Sequence, residues 1–267
     1  MATAAYQFEG RDVSIGRIFN RAFGTIGSNP VATLGIAFLF GALPGTIITY
    51  GSQELRSLGL GFIGVGTTIA IGLVSIALSI AFAMLTQGAL VRATIAHSEG
   101  RKAGFAESIQ AGLAVVVPLF LLALGSGLGI GVGLILLIVP GIILYIMWSV
   151  AAPALVQENL GIFEAFGRSN DLTNGARWKI FGLELIALVG YWMFSAAVGA
   201  IAIAIFGGIQ GMATAAVVGF PLSYYILLAA SNTITSAVWG TIQTSLYVEL
   251  RDWKDGPPTD ALAEVFG

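Results

Sequence analysis

The chain has 267 residues, 57% of them hydrophobic and only 10% charged, with a formal net charge of −2 and no cysteine. A soluble domain carries about 25% charged residues, so this composition cannot supply a water-facing surface, and the acidic balance argues against a nucleic-acid partner, which needs a basic face. Lack of cysteine excludes disulfides and thiolate metal sites, and a single histidine, His97, excludes a multi-histidine site.

Residues 1 to 29 are polar or amphipathic, with no uninterrupted apolar core behind a basic start, so no cleavable signal is expected and the first span acts as its own insertion signal. Within them Ile15, Ile18, Phe19, Ala22, Phe23 and Ile26 recur at helical spacing, with Arg17, Asn20 and Arg21 opposite. Such a stripe with a basic back belongs flat among lipid headgroups.

A helix needs about 20 residues to cross a hydrocarbon layer of roughly 30 Å. Hydropathy places six spans, at Val31–Tyr50, Val65–Leu90, Gly112–Leu124, Val132–Leu155, Ile180–Phe206 and Ala216–Tyr247. Two further amphipathic segments precede the third and fifth spans. One sets Phe105, Ala106, Ile109 and Leu113 against Glu107, Ser108 and Gln110; the other sets Ile162, Phe163 and Phe166 against Glu164 and Arg168. The expected fold is all-α: a six-helix membrane bundle (30–256) built as three units, each an interfacial elbow helix and a hairpin of two spans. A cytoplasmic tail holding the first elbow (1–29) precedes it and a short tail (257–267) follows. In that last tail Leu262, Val265 and Phe266 are expected on one capped turn, docked on the cytoplasmic face or on a partner.

The glycines of the run Gly125 to Gly131 are poor helix formers and predict the turn between spans three and four. The alternative reads Gly125, Gly129 and Gly133 as a small-residue stripe for close helix packing. Pro140 and Pro221, inside spans four and six, each remove a backbone donor and predict kinks.

All but Arg56 of the 12 basic residues fall in four places, separated by pairs of apolar stretches: Arg11, Arg17 and Arg21; Arg92, Arg101 and Lys102; Arg168, Arg177 and Lys179; Arg251 and Lys254. Positive residues stay on the cytoplasmic side, so both termini are expected in the cytosol, with a bacterial inner membrane as the location.

The stretch Pro140-Gly141-Ile142-Ile143-Leu144-Tyr145, then Trp148 to Leu155, Glu158, Gly161, Glu164 to Ser169 and Leu172 to Trp178, resembles the shared core of a bacterial family, the membrane domain of glycerophosphoryl diester phosphodiesterases and related six-helix proteins. The ending Leu246 to Arg251 is also similar. This resemblance implies six helices and an inner-membrane location, and it implies no activity. The family's phosphodiesterase chemistry belongs to a separate barrel of roughly 250 residues; only the membrane half is resembled here.

Glu184 is the most suggestive residue, since an intramembrane carboxylate costs about 2.5 to 3.5 kcal/mol at mid-span. It reads either as a proton or cation site facing a cavity, or as a side chain reaching Lys179 or Arg177 or bonded to a neighbouring helix. Gln87, Asn232 and Gln243, the last two in an unusually polar span six with Thr241, Thr244 and Ser245, line a polar path or make interhelical hydrogen bonds. Arg168, Arg177, Lys179, Arg101 and Lys102 either contact anionic headgroups or only set topology. No nucleophile has a base beside it, and His97 reads as a solvated loop residue, so no catalytic, metal or cofactor site is expected. The leading function is a non-enzymatic, lipid-contacting scaffold, accessory subunit or envelope-homeostasis factor. Membrane lipids are its expected partners, with a homo-oligomer or larger membrane complex as a further option. The alternative is a small permease using Glu184 and the polar face of span six.

Overall fold

The computed structural model describes residues 12–57 and 65–256, and among these every regular element is helical. Helix α1 (Ile15–Ser28) is followed by α2 (Pro30–Ile36), a π-helical turn (Ala37–Ala42) and α3 (Leu43–Ser57), which together make the first span. Next come α4 (Val65–Ser98), α5 (Phe105–Leu136), α6 (Ile138–Met147), α7 (Ala151–Glu158), α8 (Ile162–Thr173), α9 (Arg177–Ile205), α10 (Gly208–Val218) and α11 (Leu222–Lys254). Five segments are long and apolar enough to cross a bilayer: Pro30–Leu55, Ile69–Ser98, Phe105–Leu136, Ile138–Glu158 and Arg177–Ile205. The count reaches six only if α10 and α11, which meet at 101°, are taken together as one broken span.

The π-helical turn has a local cause. Pro44 has no N–H and its ring crowds the carbonyl four residues back. Just before it the chain slips to longer bonds, and the Leu43 N–H donates to the Phe38 carbonyl. Gly41 in this turn lies against Ser236 of α11, close enough that a Cβ would sit 3.2 Å from its Oγ.

The glycine run does not make a turn. Helix α5 passes through Gly125 to Gly131 and ends at Leu136, and the reversal is the extended residue Leu137. In an apolar medium an open backbone has no water to bond, so leaving the helix costs more than glycine's weak propensity of about 1 kcal/mol. The stripe serves packing instead. A Cβ on Gly129 would overlap the Trp148 ring at 2.6 Å, and one on Gly133 would sit 3.0 Å from the Gly141 Cα. The expected third span therefore extends to Phe105–Leu136, and the amphipathic Phe105–Leu113 segment is its first turns rather than a separate elbow.

Both proline expectations need correction. Pro140 is the third residue of α6, where the backbone N–H lacks an intrahelical acceptor in any helix, so it starts the fourth span without kinking it. That span is interrupted lower down, between Met147 and Ala151. Pro221 does more than kink: it precedes the first residue of α11, and Ala216–Val218 belong to α10. Gly219, at φ +117°, makes the corner, a backbone conformation that favours glycine.

The first and third amphipathic segments are separate helices, α1 and α8; α1 buries Ile18 and Ala22 of its stripe but exposes Phe23, and α8 buries Ala165 and Leu172 while Phe163 of its stripe stands exposed. Ile18 and Ala22 of α1, with Leu172 of α8, join Val91, Ile95, Val150, Ile180, Leu183, Ile242, Leu246 and Tyr247 in the largest core cluster. This core lies at one end of the bundle. There α11 is buried on every side from Thr241 to Leu250, whereas its first half buries only Tyr225, Ala229, Thr233 and Ala237, one face at every fourth residue. The other end splays: only 6% of the apolar stretch of Arg177–Ile205 is buried, against 39% for Ile138–Glu158. The tail from 257 onward, with the turn expected at Leu262, Val265 and Phe266, lies outside the described residues.

Candidate functional site

The ionic groups gather at the packed end. Glu249, nearly buried in the last helix, accepts from the Ser14 N–H at 3.1 Å and from Arg17 Nε at 2.9 Å, with Arg21 Nη1 at 3.7 Å. This pairing raises the Arg17 pKa, while partial burial opposes it. Lys179 pairs with Asp12 and holds that carboxyl below its usual range. Arg168 donates Nε to both Glu158 oxygens, at 3.0 and 2.9 Å, and also pairs with Asp255, the larger cause of its raised pKa. Glu158 accepts in turn from the fully buried Tyr247 hydroxyl at 2.8 Å. Arg101 binds Glu99 and Glu107, and Arg92 binds Glu107 as well. Arg177 donates to Asn170 at 2.8 Å, while Lys102 is exposed.

The basic residues singled out from sequence as headgroup contacts thus differ in what they have left to offer. Arg168, Lys179 and Arg101 are tied to carboxylates of the chain; Lys102 and Arg177 are the two without a carboxylate pair among the ion pairs described. Two aromatic side chains stand out from the same end, Phe163 at 88% and Trp178 at 86% exposure.

A second polar group lies deeper. Glu184 is seven residues into α9, about 10 Å from its start at a rise of 1.5 Å per residue. It is 9% exposed, Oε2 accepts from the Tyr145 hydroxyl at 3.0 Å, and Oε1 accepts from Gln243 Nε2 at 2.8 Å. Lys179 and Arg177, the other partners open to it from sequence, are occupied elsewhere. Glu184 therefore braces three helices: α9 through itself, α6 through Tyr145 and α11 through Gln243.

Beside this brace is a cavity of about 200 Å³ between α4, α5, α6 and α11. Its polar lining is Gln87, Ser126, Tyr145, Ser149 and Gln243, flanked by Trp148 and Trp239. Gln87 and Gln243, two of the intramembrane polar residues picked out from sequence, are thus brought to one place. Asn232 is not; it is exposed on the opposite half of α11. The threonines of that helix are satisfied within it: Thr233, Thr241 and Thr244 donate to carbonyls four residues back. Such back-bonding is cheap for a hydroxyl, and it leaves Gln243 as the residue of the set that reaches another helix.

A third polar feature had no signal in the sequence. Gln53 of α3 accepts from the Phe220 N–H at 2.8 Å and the Tyr225 hydroxyl at 2.6 Å, and donates to the Phe220 carbonyl at 3.0 Å. One amide thereby satisfies both backbone groups of Phe220 in the break between α10 and α11, which lipid would leave unpaired. A side chain at Gly219 would meet this amide at 3.0 Å.

Among the described residues no three His, Cys, Asp or Glu side chains come together as a metal site. His97 is held by Ser28 Oγ at 3.0 Å, closing α1 onto the end of α4. No protein-family pattern, curated protein or solved structure matches the chain.

Proposed function

We propose that this is a non-enzymatic protein of a bacterial inner membrane, a lipid-contacting scaffold or accessory subunit whose ion-paired end faces the cytosol. Four clusters of basic residues separated by pairs of apolar stretches support that orientation. Phe163 and Trp178 stand where interfacial aromatics anchor a protein at headgroup depth, and Lys102 adds a cation there for anionic lipid, worth about 1 kcal/mol. Helices α1 and α8 are then elbows that hold Ile18, Ala22 and Leu172 against the bundle and turn Phe23 and Phe163 toward the interface. The likeness of Pro140–Trp178 to the phosphodiesterase membrane domain fits a shared membrane core of this kind.

The observation that carries the accessory-subunit reading is the fifth span. It is fastened at its lower end by Ile180, Leu183 and Glu184, and above that it scarcely touches its own bundle. A Cβ at Gly199 would meet nothing within 4 Å, and Ser195, one turn earlier on the same face, is exposed. Helices associate in lipid through close packing of small residues, and this span offers that packing to another membrane helix. The chain has no cysteine, so Gly199→Cys carrying a photocrosslinker tests the reading in native membranes. A protein adduct of defined mass is expected, whether a second copy or another subunit; adducts with lipid alone contradict it.

A second reading, a small permease, is favoured by the adjacency of Glu184, Gln243 and the polar cavity that also holds Gln87. Flux in liposomes that is lost in Glu184→Gln would establish it.

A further inference from the structure

The cavity beside Glu184 has a definite hydrogen-bonding sense. Ser126 Oγ donates to the Ala123 carbonyl at 3.1 Å, and Ser149 Oγ donates to the Ile146 carbonyl at 2.9 Å. The Tyr145 hydroxyl donates to Glu184, and Gln243 Nε2 does the same. Each of these groups has spent a hydrogen elsewhere and keeps lone pairs. Gln243 is 7% exposed, and its Oε1 is buried with no hydrogen-bond partner in the protein. Four side chains thus bring acceptor oxygens to one small space, with Gln87 able to add another.

A buried acceptor left without a donor costs about 1 to 3 kcal/mol, so the occupant of this space must donate. Two further features favour a positive charge on that donor. The Glu184 carboxylate lies directly behind Tyr145 and Gln243, and the cavity is bordered by Trp148 and Trp239, whose indole rings are of the kind that attracts cations. No described basic side chain lines the cavity.

We propose that this cavity binds a small ammonium-type cation, such as a protonated primary amine, through Gln243 Oε1, Tyr145 Oη, Ser126 Oγ and Ser149 Oγ, with Glu184 supplying the balancing charge. A space of about 200 Å³ suits an amine of a few heavy atoms and not a drug-sized ligand, which takes 300 Å³ or more. A free amine and the ethanolamine headgroup of a lipid share this chemistry. The proposal deepens the permease reading without depending on it, because binding without a gradient and flux with one are separate measurements.

The test uses the full chain in phosphatidylcholine discs, titrated with ethylammonium chloride and followed by tryptophan emission and by thermal stability. Saturable change with ethylammonium is expected, with none from potassium chloride at equal ionic strength or from ethanol at equal concentration. Affinity should fall about tenfold in Glu184→Gln, as for loss of one nearby charge, and also in Ser149→Ala, whose hydroxyl otherwise serves only the nearby Ile146 carbonyl. If either variant fails to fold, selective stabilisation of the wild-type chain by ethylammonium over potassium decides. An equal response to ethanol would mean that the cavity is an uncharged polar space and would overturn the proposal, as would no saturable response. Competition by phosphatidylethanolamine in the disc identifies the headgroup as the source of the amine, and its absence a free amine; both sustain the site. Binding without flux in liposomes would leave the site standing and remove the permease.

Discussion

The two ends of this bundle are held together by different physics. At the packed end α11 is enclosed from Thr241 to Leu250, and α1, α4, α6, α8 and α9 bring side chains against it. The carboxylates of Glu158 and Glu249 tie these helices to one another. At the other end the helices diverge, and Met193, Ile205, Val217 and Leu222 are exposed. Water would penalise such a surface, but lipid does not, since hydrocarbon tails are as apolar as leucine. In the orientation proposed above, packing and ion pairs are concentrated where the membrane gives way to water, and the lipid-facing end needs only backbone satisfaction, as at Gln53.

Substitutions at the two ends should differ most when they remove packing. Leu246, fully buried, lies in the core, and Leu246→Ala should cost about 3 kcal/mol. Met193, 69% exposed, should lose under about 0.5 kcal/mol as Met193→Ala. Equal shifts in the detergent unfolding midpoint would erase the distinction. Glu249→Ala, which strips Arg17 and Arg21 of their shared partner, should cost about 2 kcal/mol after allowance for the part-exposed arginines, read the same way.

Glycines sharpen the comparison along α5. A Cβ at Gly112 would meet the Leu85 carbonyl oxygen at 2.7 Å, while one at Gly127 meets nothing within 4 Å. Gly112→Ala should destabilise by about 2 kcal/mol, and Gly127→Ala should stabilise by up to about 1 kcal/mol. A loss at both positions would argue for a turn in the glycine run after all. The smallest effect is ionic. Asp12 is held below its ordinary pKa by Lys179, so its contribution is present above the unfolded carboxyl's value of about 3.9 and fades as pH drops through the lower folded value. The stability gap between wild type and Asp12→Asn should thus be flat near neutrality and close in acid.

The sequence makes plain whatever depends on composition along one helix. Hydropathy located the apolar stretches, stripes at helical spacing located α1 and α8, and a lone carboxylate in an apolar run located Glu184. Information that depends on how helices face each other was hidden. Nothing near Tyr145 marks it as the donor to Glu184, and nothing near Glu249 marks it as the partner of Arg17. Asn232 and Gln243 look alike in sequence and share a face of α11; about three turns of depth separate them, since only the half from Thr241 to Leu250 is enclosed. The glycine run was misleading because turn propensities describe chains in water, where an open backbone finds partners. The same medium effect explains Gln53, whose role exists only because the break at Phe220 needs a donor and an acceptor.

The central claim is that the ion-paired end and the splayed end lie on opposite faces of a membrane, with every basic cluster on one of them. Single cysteines can be placed without background, since the chain has none, and impermeant labelling of Lys102→Cys, Trp178→Cys, Asp252→Cys and Gly208→Cys in sealed inverted and right-side-out vesicles reads the face directly. The first three are expected to label together from the cytosolic side and Gly208→Cys from the opposite side. Labelling of Lys102→Cys and Trp178→Cys from different sides would contradict the account.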